Sequence, residues 1–182
     1  FLSLALIGAV SISSQIILIR ELFTAFYGNE LSIGFILALW LLGGALGSWL
    51  IGKALAPGSE RGHSLFVSTV FSLGILIPLS VVAARGARSV LGIGAGEIVG
   101  LPAFLLSSLI VLLPIAFCLG LLFVLGCKIT SQGDRAASIG QVYTMEAVGA
   151  VLGGTITSLL LIPYLGSLSI SLILSALIFL SS

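Results

Sequence analysis

Four ionisable side chains stand inside or beside long apolar runs, where a charge is expensive: Arg20, Glu21, Glu30 and Glu146. Glu146 falls about 13 Å along an apolar helix predicted over residues 138–162, which is deep in a hydrocarbon slab. An acid at that depth faces a cavity or a partner. One reading is a proton or cation site. The other is a structural hydrogen bond to a neighbouring helix, through Tyr143, Gln15 or the Arg20 region. Arg20 and Glu21 are adjacent in sequence, so on a helix they point about 100° apart and do not face each other. Glu30, across the corner Tyr27-Gly28-Asn29, is the natural partner for Arg20. A structural ion pair fixing that corner is favoured over a ligand site.

These residues are conspicuous because charge is scarce. Only 7% of the chain is charged and 59% is hydrophobic, where soluble domains run nearer a quarter charged. With a mean hydropathy of +1.33, too little polar surface exists to cover a water-soluble domain. The chain therefore reads as an integral membrane protein whose main partner is the lipid bilayer. A net charge of +1 without a basic run excludes a nucleic-acid footprint. Phe1 opens the chain without a methionine and Ser182 closes it in or just after an apolar run, which reads as a fragment. The first apolar segment lacks a basic leader and a small-residue cleavage site, so it reads as a membrane helix.

A spanning helix needs about 20 apolar residues. Six segments qualify as spans of one transmembrane domain over 1–182: about 1–26, 31–55, 64–84, 102–127, 138–162 and 167–180. Asn29 reads as an N-cap, Glu30 as an acid in the first turn of the second helix, and Lys53 as a cation near its end. Pro57 to His63 and Lys128 to Ala137 read as polar loops, with their charges solvated. Residues 85–100 hold Arg85, Arg88, Glu97 and several glycines, and read as an irregular or interfacial connection. Pro114 predicts a kink in the fourth helix. Lys53, Arg61, Lys128 and Arg135 on one side outnumber Arg20, Arg85 and Arg88 on the other. That bias puts both termini in the cytoplasm.

Gly43 and Gly47 in the second helix, and Gly149 and Gly153 in the fifth, each place glycines one turn apart on one face. Such seams let backbones approach closely where lipid supplies no hydrophobic drive. Packing within one bundle is the favoured use, and a homo-oligomer face the alternative. The echo between Gly43-Gly44-Ala45-Leu46-Gly47 and Gly149-Ala150-Val151-Leu152-Gly153 suggests two related three-helix halves.

No catalytic, cofactor or metal residue is assigned. Cys118 and Cys127 fall on one predicted helix about 13 Å apart and cannot bridge each other. His63 is the single histidine. The Gly92-x-Gly94-x-Gly96 spacing lacks the strand and helix that a dinucleotide loop needs.

Gln15, Arg20-Glu21-Leu22, Gly28-Asn29-Glu30-Leu31, Leu39-Trp40-Leu41-Leu42-Gly43 and Ala45-Leu46-Gly47-Ser48 carry a resemblance. Together with Gln141-Val142-Tyr143-Thr144-Met145-Glu146 and Ile162-Pro163-Tyr164-Leu165-Gly166, they resemble the membrane region of prokaryotic spermidine synthase-like proteins. The same helices are similar to half of a major facilitator transporter. The first resemblance implies a cytoplasmic (inner) membrane protein. It also implies a covalently linked cytosolic Rossmann-like aminopropyltransferase domain beyond residue 182, with the substrates bound there and no cofactor in this chain. The expectation is thus an all-α, polytopic helical bundle that anchors or serves such a transferase. The alternative is a transporter-like half-bundle that moves a polyamine or other small cation.

Overall fold

The computed structural model describes residues 2–28, 30–55, 60–94, 97, 99–130 and 135–181. The order is α1 (Leu2–Phe26), α2 (Glu30–Ala54), α3 (Glu60–Val90), α4 (Leu101–Thr130) and α5 (Arg135–Ile156). A π-helical turn, Thr157–Leu161, then leads into the short α6 (Ile162–Tyr164) and on to α7 (Ser167–Ser181). Among the described residues there is no strand. In lipid every backbone donor must be satisfied within its own segment, and a helix does this. The chain is an all-α bundle, and five of its helices are long and apolar enough to cross a membrane. The sixth expected span, α7, is a shorter apolar helix of 15 residues.

The buried centre is built by α1, α3, α4 and α7, through Ile17, Leu18, Leu22, Leu73, Ile77, Leu112, Ile115, Leu122 and Ile170. Of the two glycine-seam helices, α2 reaches it through Ile36 and α5 lies outside it. In α2 only Ile36, Gly43, Gly47 and Ile51 are buried, a single narrow stripe. That stripe lies on α4. A Cβ on Gly43 would come 2.7 Å from the Ala116 methyl, and one on Gly47 would strike the Phe117 carbonyl. In α5 the seam lies on α1: Gly149 meets the Ala5 carbonyl, and a Cβ on Gly153 would sit 2.5 Å from the Ala9 Cα. Each seam also carries a serine bond to a glycine carbonyl. Ser48 donates to Gly120 at 3.1 Å, and Ser13 donates to Gly153 at 3.3 Å.

Partner numbers rise together across both seams, so each pair is parallel. The second helix of each half therefore packs on the first helix of the other half. The third helices, α3 and α7, pack on each other, with the Phe71 and Phe179 rings 4.9 Å apart and Ser175 donating to the Gly74 carbonyl. Because the chain reverses at each connection, the second triplet runs opposite to the first. Opposed triplets of this kind are what an inverted-topology repeat would produce.

Several expected boundaries move. The third helix begins at Glu60 rather than 64, so Glu60, Arg61 and His63 are helical; it runs to Val90, so Arg85 and Arg88 are helical too. The stop is a glycine cap. Gly92 has φ +67°, Ile93 N–H donates to Arg88 at 3.0 Å, and Gly92 N–H donates to Ser89 at 3.1 Å. The arginines belong to the helix because their long stems carry the charge to the slab edge. The fifth helix begins at Arg135 rather than 138, and its expected last turn is the π turn before Pro163. Proline offers no N–H to the carbonyl four residues back, and a widened turn takes up that mismatch. Helix α4 continues through Pro114 without interruption. Asn29, the Pro57-Gly58-Ser59 turn and Asp134 lie outside the described residues.

Candidate functional site

Glu146 sits near the middle of α5, half-buried, about 15 Å along the axis from Ala136. Its backbone is pressed against Gly8 of α1, where any Cβ would strike the Glu146 carbonyl. That close approach fixes the height of Glu146 against α1. Its side chain lines a groove of about 560 Å³ between α1, α4 and α5, with Ser11, Ile12, Phe123, Tyr143 and Val151. Tyr143 precedes Glu146 by three residues and so lies on the same face of α5. Among the described residues the Glu146 carboxylate has no hydrogen-bond or ion-pair partner. The structural alternative through Gln15 or the Arg20 region is not formed, and Tyr143 shares the groove without a bond to the acid.

The corner charges behave differently from expectation. Arg20 and Glu30 are both exposed and do not pair. Glu21 instead accepts two bonds from Arg85 of α3, from Nε at 2.8 Å and from Nη2 at 2.9 Å. The reason is the 100° offset: Glu21 points inward toward α3, and Arg20 outward. A helical Arg85 then reaches it two-handed, the geometry for which guanidinium is shaped. Three residues on, Arg88 donates to the Ala25 carbonyl at 3.0 Å, to the Gly94 carbonyl and to the Glu97 carbonyl at 3.3 Å. Its guanidinium lies 5.3 Å from the centre of the Tyr27 ring, at the left-handed residue that ends α1. Arg85 and Arg88 tie α1, α3 and the following segment together at one membrane face. That cluster is architecture, with its donors and acceptors already engaged.

At the opposite face Lys128 of α4 caps α2. Its Nζ donates to the Ile51 carbonyl at 2.8 Å, the Gly52 carbonyl at 3.2 Å and the Leu55 carbonyl. Lys53, expected to serve the end of α2, lies 4.4 Å above the Trp49 ring. Sequence reasoning missed Arg85, Arg88 and Lys128 as partners, because each acts on a helix distant in sequence. The only signal available was that all three sit at helix ends.

Glu30 does occupy the first turn of α2, as expected. Gly43, Gly47, Gly149 and Gly153 are packing residues within the bundle. Among the described residues no group of His, Cys, Asp and Glu could hold a metal ion. Cys118 and Cys127 are both free thiols. Of the ionisable side chains singled out in the sequence, Glu146 alone combines a place in the middle of a span with a lining position in a groove. Compared with family models, curated proteins and solved structures, the chain matches none.

Proposed function

We propose that this bundle is a transporter-like half that binds a small organic cation at Glu146. The observation that carries the reading is a carboxylate at mid-span, on an open groove, without a protein partner among the described residues. A charge so placed is expensive unless a counter-charge joins it, and a cationic ligand supplies one. The exchange-packed triplets support the reading, because transporter folds built from inverted repeats place their sites near the membrane midplane. The test is amine binding by the purified protein in lipid nanodiscs, across a panel of monoamines and polyamines. Glu146→Gln weakens that binding by about tenfold or more while leaving thermal stability within a few degrees. Equal binding by both forms would sink the proposal.

A second reading rests on a separate observation, the resemblance of Gln15 to Ser48 and Gln141 to Gly166 to the membrane region of spermidine synthase-like proteins. In that reading the bundle anchors a cytosolic aminopropyltransferase in a prokaryotic inner membrane, with the Lys53 and Lys128 ends toward the cytoplasm. It requires the gene to continue past the Ser182 codon into alternating strands and helices. A stop codon, or more apolar helices there, removes it. The two readings are compatible, since one concerns the bundle itself and the other a domain attached to its C-terminal end.

A further inference from the structure

The lining of the groove beside Glu146 constrains its ligand beyond a positive charge. Resting on the cation-site reading above, we propose that it takes a lipophilic monoamine, one ammonium on an apolar or aromatic body, in preference to a polyamine. Three features of the lining lead there.

The first is charge count. Among the described residues Glu146 is the single carboxylate lining the groove. A linear polyamine brings two or more ammonium groups separated by short methylene spacers. With its first ammonium on Glu146, the second would meet no second carboxylate, only apolar side chains and the neutral hydroxyls of Ser11 and Tyr143. An unpaired charge against such a wall is strongly disfavoured.

The second is the kind of wall. Phe123 from α4 and Tyr143 from α5 bring aromatic rings to the groove from two different helices. Aromatic faces attract a cation and pack against an apolar body, so they favour an ammonium carried on a hydrophobic group. Ser11 adds one hydroxyl from α1, enough to take a second N–H of a primary amine. Third, a volume of about 560 Å³ falls within the range of small-molecule pockets, so an amine with a ring-sized body fits.

Competition on the wild-type protein in nanodiscs decides between the classes. Phenethylamine is the monoamine probe, with putrescine and spermidine as competitors. The expected result is saturable phenethylamine binding that neither polyamine displaces at equal concentration. Glu146→Gln should weaken phenethylamine by about tenfold or more, the loss of a charged hydrogen bond. Phe123→Leu should weaken it by roughly threefold, the loss of one cation–π contact. Putrescine or spermidine binding more tightly than phenethylamine would overturn the monoamine assignment and leave the cation site standing. Absence of binding by every amine, or binding indifferent to Glu146→Gln, would overturn both. Should Glu146→Gln fail to fold, the wild-type competition alone still separates the two classes.

Discussion

The Glu21 carboxylate accepts from two nitrogens of Arg85, yet the partners differ in setting: the side chain of Glu21 is 12% exposed and that of Arg85 47%. Removing one partner is therefore not equivalent to removing the other. Arg85→Ala leaves a mostly covered carboxylate with Ser167 as its remaining partner, at about 1–3 kcal/mol the more damaging loss. Glu21→Gln leaves a half-exposed guanidinium that water and headgroups can solvate, and the amide still offers an oxygen to it. We expect Arg85→Ala to lower the unfolding temperature in detergent by more than twice as much as Glu21→Gln; equal effects would contradict the asymmetry. The sequence made the cost of each charge visible but not its partner. Glu146 could be placed at mid-span because the helix around it carries no other charge from residue 138 to 162. The Glu21–Arg85 pair could not be read, since 64 residues separate its members and the region of Arg85 looked like a loop. Arg85, Gly86 and Arg88 belong to the end of α3 in the fold, and Gly92 is its cap.

Among the helices, the glycine seams make a sharper statement than composition does. Gly149 and Gly140 both lie on α5, and both carry the usual helical penalty of about 1 kcal/mol relative to alanine. Around Gly140 an added Cβ would meet nothing within 4 Å, whereas at Gly149 it would be driven into the Ala5 carbonyl of α1. Backbone cannot rotate aside as a side chain can. Gly140→Ala should therefore be neutral or raise the unfolding temperature, while Gly149→Ala should lower it by several degrees or abolish folding. Gly34→Ala and Gly47→Ala on α2 form a parallel pair, since Gly34 faces open space and Gly47 the Phe117 carbonyl. A result in which all four behave alike would mean that α2 and α5 do not seat on their seams. From sequence the seams were recognisable as packing motifs, but not their partners. Nothing in the one-turn spacing of Gly43 and Gly47 says whether the facing helix is α1, its neighbour in the chain, or α4.

For the whole molecule, that choice of partner decides how the fold holds together. Had α2 packed on α1 and α5 on α4, each triplet would be a self-contained unit. Instead α2 seats on α4 and α5 on α1, with Ser48 bonded to Gly120, Ser13 to Gly153, and Lys128 closing the end of α2. Each half thus contributes one seam helix to the other, and the groove at Glu146 is closed by α1 from the first half and by α4 and α5 from the second. Apolar surface alone gives no preference for helix over lipid in a bilayer, so these close backbone contacts are what keep the halves together. Cutting the chain between Val90, the end of α3, and Leu101, the start of α4, leaves every helix intact. We expect the two pieces, co-expressed with a tag on one, to co-purify and to recover the amine binding of the intact chain. Either piece alone should aggregate or lose cooperative unfolding in detergent, because its seam helix faces lipid with glycines bare. A first piece that unfolds cooperatively by itself would show that the seams are dispensable, and the exchange of α2 and α5 would then be a detail of packing rather than the basis of the site.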